Sequence, residues 1–372
     1  MDCTKRTALM QQLLSVQHEL LPQLGEGLDI LTPKLEKLVH VLDWLDMAAF
    51  FPSRYGVDGR PPHDRQALAI AFVAKVVLNL PTTAALRERL QVDRSLRHIC
   101  GFPRWKPLPS EATFSRAFDE FAQSRLAERV HESLIRSHLG DELVGHISRD
   151  ATAIEAREQP EAAPKPAPAA DEPAAAPRKR GRPRKGEQRP AKESPIARQR
   201  KKPLAQLLEE MPKACDRGTK CNAQGYKVSW NGYKLHIDTA DGGIPVAAIL
   251  SSASMHDSLA AIPLTQITAR RVTNLYDLMD AGYCSADLRE YSREFNHVPL
   301  IDHNPRRGDK IEFDPAEAIR YRERSAAERT NARLKDEFGG NNVWVKGHAK
   351  VLSHLMFGLM VLAADQLMRL LL

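Results

Sequence analysis

The sequence predicts a mixed α/β protein with a helical N-terminal part, a sheet-forming remainder, and a disordered basic insert within the latter. Three observations carry this. Residues 1–140 place apolar side chains at helical spacing, strand-like runs begin at Glu142, and residues 159–203 have a composition that builds no core. A chain of 372 residues is long enough for about two or three domains. With 42% hydrophobic and 27% charged residues, it is neither disordered as a whole nor a coiled coil.

Arg65 to Leu78 (RQALAIAFVAKVVL) is apolar on most faces and predicts a buried helix. Thr83 to Leu90 and Ser110 to Leu126 follow as helices, with Ser110 as an N-cap. The pieces Thr82 to Leu96 and Pro109 to Phe121 allow helix-turn-helix-like packing, with an ordinary helical bundle as the alternative. Leu143 to Asp150 (LVGHISRD) predicts a short strand ending in an acid. Gly225 to Asp238 and Ile244 to Ser251, separated by Asp241-Gly242-Gly243, predict antiparallel strands. Val272 to Asp280 is a further strand ending in an acid, Ala286 to Phe295 a helix, and His297 to Asp302 another strand. Asp314-Pro315-Ala316-Glu317 then opens a long helix with a cap, a first-turn proline and a glutamate three residues later, and that helix stops by Gly339-Gly340.

Membrane and export classes are disfavoured. The opening segment carries Asp2, Lys5 and Arg6 before a broken apolar stretch, unlike a signal peptide. The apolar C-terminal stretch is interrupted by His354, Asp365 and Arg369, which leaves Leu355 to Ala364, half a bilayer span, and predicts a buried helix. Five scattered cysteines (Cys3, Cys100, Cys215, Cys221, Cys284) argue for a reducing, cytoplasmic compartment, and no CxxC pair supports a structural zinc site.

The formal net charge of +7 is concentrated. Residues 178–203 carry twelve Lys/Arg against Glu187 and Glu193, so this segment is +10 and the remainder is −3. Just before it, residues 159–177 hold eight alanines and six prolines, a composition that favours extended chain. Within the basic part stands Arg178-Lys179-Arg180-Gly181-Arg182-Pro183-Arg184-Lys185-Gly186. One reading is a solvated charge run. The sharper one is that a narrow Arg-Gly-Arg-Pro core lies in the negative minor groove of A·T-rich DNA. The run resembles the AT-hook motif, which implies DNA contacts by Arg180, Gly181, Arg182, Pro183 and Arg184.

Asp150 and Asp280 each close a predicted strand, where a rigid element delivers a side chain into a crevice. Tyr321, Arg324, Glu328 and Lys335 lie on the long predicted helix at offsets that fall within an arc of about 60° at 100° per residue. A solvated face with an Arg324–Glu328 pair is the plain alternative. Three hard oxygen donors beside cations suit Mg²⁺ or Mn²⁺ together with phosphates.

Asp150-Ala151-Thr152-Ala153-Ile154, Asp280-Ala281-Gly282-Tyr283 and the Tyr-x2-Arg-x3-Glu-x6-Lys run together resemble the DDE transposases of bacterial insertion sequences. Residues 61–135, including Cys100-Gly101-Phe102 and the run Pro109 to Arg116, resemble their helical N-terminal domain; Cys284 departs from the acid common after the Gly-Tyr pair. The resemblance implies a ribonuclease H-like catalytic domain split into residues 141–158 and 204–372 by the 159–203 insert, after a helical domain at 1–140. It implies that Asp150, Asp280 and Glu328 are catalytic and hold two metal ions, and that Tyr321, Arg324 and Lys335 grip DNA. It also implies double-stranded DNA partners, namely transposon ends with inverted repeats and target DNA, and a homodimer to pair two ends. A DNA-binding relative that does not cut, or a nuclease without strand transfer, are the rival readings. Tyr233, Lys234, His236, His256 and Asp257 are further candidates for the crevice, with core or surface roles as the alternative.

Overall fold

The computed structural model describes residues 31–51, 63–160, 193–221, 224–305 and 309–371. At its centre runs β1 (Leu143–Glu155), antiparallel to β3 (Lys227–Ala240) on one side and parallel to β5 (Thr273–Met279) on the other. β2 (Asp216–Cys221) and β4 (Ile244–Ser252) each pair antiparallel with a different half of β3, and β6 (Val298–Ile301) lies parallel beyond β5. The result is a mixed six-stranded sheet. The β3–β4 turn needs its glycines, since Gly242 (φ 73°) and Gly243 (φ 81°) occupy the left-handed region.

β1 differs from the short strand expected. β3 keeps pairing with it as far as Glu155 opposite Gly232, so the strand continues beyond Asp150, which stands inside it. Side chains alternate across a strand. Arg149 and its cross-strand neighbour Asp238 share one face, where Thr268 of α9 (Ala261–Thr268) donates to Asp238 at 2.7 Å. Ser148 and Asp150 share the other, under the segment that ends in α12 (Ser325–Asp336).

The described residues of the N-terminal part are helical, as their periodicity predicts: α1 (Pro33–Leu45), α2 (Arg65–Val77), α3 (Thr83–Val92), α4 (Arg94–Ile99), α5 (Glu111–Gln123) and α6 (Leu126–Leu139), while residues 1–30 and 52–62 of that expectation lie outside the described residues. Ser110 caps α5 by accepting from the Thr113 N–H at 3.3 Å. Asp93 ends α3 and caps α4, so α4 and an irregular stretch separate α3 from α5. That is far from the three- or four-residue turn of a helix-turn-helix. These helices share one core with the sheet and with α13 (His348–Leu371), which packs on α1, α2, α5, α6 and β4. Phe72 of α2, Phe118 of α5 and Phe357 of α13 meet with ring centroids 5.0 to 6.1 Å apart. α13 is long and apolar enough to cross a membrane, yet Val351, Leu355, Leu359 and Leu362 are sealed inside this core, as the buried-helix reading expected.

Two further expectations change. The end of the insert is folded: Ser194 caps α7 (Pro195–Arg200), Ile196 is buried, and Arg200, Lys201 and Lys202 pair with Glu290, Glu193 and Glu210. Charge counting overlooked the cap, the proline at the first turn and the apolar anchor. The long helix is also interrupted. α11 (Pro315–Tyr321) tightens into a 3₁₀ turn at Arg322–Arg324 before α12 begins, and the Ser148 hydroxyl donates to the Glu323 carbonyl at 3.3 Å, fastening that turn to β1.

Arg149 donates from Nε and Nη2 to both Asp238 carboxylate oxygens, each at 2.7 Å, with both side chains essentially inaccessible to water. Removing one partner strands a buried charge. Asp238→Asn is therefore expected to cost about 3–5 kcal/mol in urea unfolding, with much of the loss recovered in the Arg149→Met/Asp238→Leu double variant. A loss under about 1 kcal/mol would show that the pair does not hold β1 to β3.

Candidate active site

β1 and β5 run parallel with Arg149 opposite Met279, so the next residues, Asp150 and Asp280, emerge side by side. β5 stops because Asp280 turns the chain: its Oδ1 accepts from the Gly282 N–H at 2.8 Å and caps the turn Ala281–Tyr283. Burial pushes the Asp150 carboxyl up to about 6, against the pull of Arg324 and with the charge of Asp280 adding to the rise. Burial raises Asp280 too, opposed by the Gly282 N–H and Arg324 and reinforced by Asp257.

The interrupted helix delivers the third carboxylate. In a 3₁₀ turn, side chains three residues apart eclipse, which aligns Tyr321 with Arg324 more closely than a continuous α-helix would. Arg324 then divides its guanidinium: Nη2 donates to Glu328 Oε1 at 2.7 Å, and Nη1 lies 3.8 Å from Asp150 Oδ1. Glu328 is held toward solvent, its side chain 60% exposed, with Arg324 between it and Asp150. On the same helix Asn331 Nδ2 donates to Asp150 Oδ2 at 2.9 Å. Sequence reasoning missed Asn331, although it lies three residues after Glu328 on the face already singled out.

Tyr321 is half-buried. Its hydroxyl donates to the Met279 carbonyl at 3.1 Å, one residue before Asp280, its ring packs on Phe313, and burial pushes its pKa up to about 12. Lys335 is not with the carboxylates. Two helical turns past Glu328, it lies near Glu155 at the far end of β1 and near Lys220, and burial together with Lys220 lowers its pKa.

Among the other candidates, Lys234 Nζ meets Asp257 Oδ1 at 2.8 Å, and the Asp257 charge reaches Asp280. Tyr233 instead donates to Glu158, His236 is buried against Ser251, and His256 bonds Ser258 in its own turn. Arg180, Gly181, Arg182, Pro183 and Arg184 lie outside the described residues.

Asp150 and Asp280 fit a hard divalent cation by chemistry: two adjacent carboxylates whose ionised forms burial and mutual repulsion disfavour. Beside them Arg324 Nη1 and Asn331 Oδ1 are buried without a hydrogen-bond partner. Glu328 does not join them in this arrangement, and among the described residues no three such donors stand close enough together to hold a metal.

Residues 150–363, more than half of the chain, match the family described as Transposase DDE domain, and the chain belongs to that family. The match begins at Asp150 and takes in Asp280, Glu328 and most of α13. Residues 24–120 match a second family, described as Transposase domain. No curated protein and no solved structure matches the chain. The function of the family is transposition, and its members are enzymes that act on DNA.

A carboxyl raised above its ordinary range binds its proton more readily folded than unfolded, so its contribution to stability is full below about pH 4 and lost as pH rises through about 6. In chelator, Asp150→Asn is expected to exceed the wild type by about 2 kcal/mol at pH 8, with the difference gone by about pH 4. Urea midpoints at the two pH values measure it, and a variant less stable than wild type at pH 8 would contradict it.

Proposed function

We propose that the protein cuts the ends of a mobile DNA element and joins the freed 3′-hydroxyl to target DNA, with Asp150, Asp280 and Glu328 as its catalytic carboxylates. One observation carries this above all: Asp150 and Asp280 leave neighbouring parallel strands side by side while one helical segment sets Arg324 against Asp150 and pairs the same guanidinium with Glu328. A central strand antiparallel to one neighbour and parallel to the other supports a ribonuclease H-like reading of the sheet. Asp150 and Asp280 would hold Mg²⁺ or Mn²⁺, two ions in the complete site, with Glu328 as the third donor. When bound, such ions acidify a water and offset charge on the leaving 3′ oxygen.

The chain's own groups do the positioning. Arg324, already divided between two carboxylates, offers a planar fork to a DNA phosphate, and that exchange frees Glu328 to turn inward. Asn331 keeps Asp150 oriented, and Tyr321 fixes the backbone that leads into Asp280. Lys335, beside Lys220, receives the DNA backbone farther along α12. The helical residues of the N-terminal part bind the element's ends. The basic stretch with Arg180, Gly181, Arg182, Pro183 and Arg184 adds minor-groove affinity. The working form is a homodimer on double-stranded DNA, in the cytoplasm and at the nucleoid.

Asp150→Asn, Asp280→Asn and Glu328→Gln are each expected to lower nicking of an end-containing duplex in Mg²⁺ by about a thousandfold or more while gel-shift affinity is kept. Nicking retained by any one of them removes that residue from the triad, and nicking undiminished by chelator removes the metal. Deleting residues 178–192 is expected to reduce the magnitude of the salt slope of DNA binding by about 0.9 per lost phosphate contact, and Arg182→Ala to weaken A·T-rich duplexes more than G·C-rich ones. Equal losses on both probes would reduce the stretch to a charged linker.

A further inference from the structure

A cleft of about 450 Å³ lies away from the carboxylates, where α2, α3 and α5 face the segment joining α12 to α13. Lys75 of α2 lines it. The residue is 8% exposed, and its ammonium has no hydrogen-bond or ion-pair partner among the described residues. Burial lowers its pKa to about 8. An ammonium on a mostly buried side chain, facing a cleft with no counter-charge paired to it, is costly, and such a group is normally matched by an anion.

The surroundings do not supply that anion. Arg157, Lys346 and Lys350 line the same cleft, and Lys350 is already bridged to Asp119 at 3.2 Å. Glu111 is the lining carboxylate, and it is exposed at the first turn of α5. His354 gives its Nε2 to the Gly339 carbonyl, and burial, then Lys75, lowers its pKa to about 4, so it is neutral. The N-terminus of α3 also opens here through Thr82 and Thr83, an end of a helix that favours negative charge. Every strong feature of the cleft except Glu111 therefore asks for an anion.

We propose that this cleft binds a phosphate of the DNA backbone, with Lys75 as the buried counter-ion and Lys346 and Arg157 at the rim. The assignment rests on the reading of the protein as a DNA-processing enzyme and gives that reading a path. From Arg324 the cations Lys335 and Lys220 continue toward the far end of β1, and Arg157 stands two residues beyond that strand. A strand leaving the carboxylates along α12 meets the cleft next. The exposed Trp344 at its mouth, with the Arg157 guanidinium 5.8 Å from its ring centroid, adds an aromatic face of the kind that single-stranded segments stack on.

The test uses the full chain with Lys75→Met, which keeps the side chain's length and removes its charge, and Lys75→Arg, which keeps the charge. Lys75→Met is expected to melt at or above the wild-type temperature. It is also expected to bind an end-containing duplex about tenfold more weakly and with a salt slope smaller in magnitude by about 0.9, while Lys75→Arg keeps the wild-type slope. A second arm follows the melting temperature in inorganic phosphate. Unchanged affinity and slope in a folded Lys75→Met would overturn the proposal. If phosphate raised the wild-type melting temperature but not that of Lys75→Met while DNA binding stayed equal, the cleft would take free phosphate and the DNA assignment would be overturned. A chain that bound no duplex would instead sink the DNA-processing reading, separately visible because the phosphate arm does not depend on it.

Discussion

The contact between Arg149 and Asp238 sets the terms for everything around it. A guanidinium and a carboxylate buried between neighbouring strands are tolerable only in register, because a one-residue slip would move one charge to the opposite face. The pair therefore fixes β1 against β3. Since Arg149 and Asp150 are consecutive, it also fixes which face of the sheet receives Asp150. Thr268 adds a third hydrogen bond to Asp238, so the helix beneath the sheet is committed to the same alignment. What sits above the sheet can then be a reactive carboxylate without being the group that holds the strands together.

That separation matters because the opposite face is electrostatically uncomfortable. Asp150 and Asp280 share a half-buried position, Asp257 adds a third negative charge nearby, and Arg324 is the cation that reaches Asp150. Arg324 is shared with the exposed Glu328, and the nitrogen that faces Asp150 makes no hydrogen bond. A group held by competing partners is easily recruited by a third, and a phosphate offers more to a guanidinium than either carboxylate does at these distances. The tightened turn at Arg322–Arg324 is the mechanical side of the same arrangement, since it points Arg324 at the sheet and lets α12 restart with Glu328 just beyond it.

Much of this was legible in the sequence. Alternation and turn residues located β3, β4, β5 and β6 closely, and Asp280 stands at the strand exit where the pattern put it. Helical periodicity and the Ser110 cap placed the N-terminal helices. The helical wheel for Tyr321 to Lys335 was less secure, because a wheel assumes a constant 100° step. A single overwound turn, fastened to β1 by the Ser148 hydroxyl, changes the phase of everything after it. Lys335 shows a second limit: sharing a stripe does not mean sharing a site when α12 advances about 1.5 Å per residue and the stripe spans two turns beyond Glu328. Asp150 was misplaced to a strand end because its pairing partner lies more than eighty residues away, beyond the insert. Lys75 carried no signal at all, since a lysine in an apolar helix reads as a solvent-facing interruption until its neighbours are known.

The position of α13 in the core has a consequence for the order in which the chain can fold. α1, α2, α5 and α6 lean on a helix that is synthesised more than two hundred residues after them. Until residues 348–371 leave the ribosome, the apolar faces of those early helices have no permanent cover, and their contacts are of the long-range kind that closes slowly. α13 thus completes a core whose N-terminal helices are made long before it.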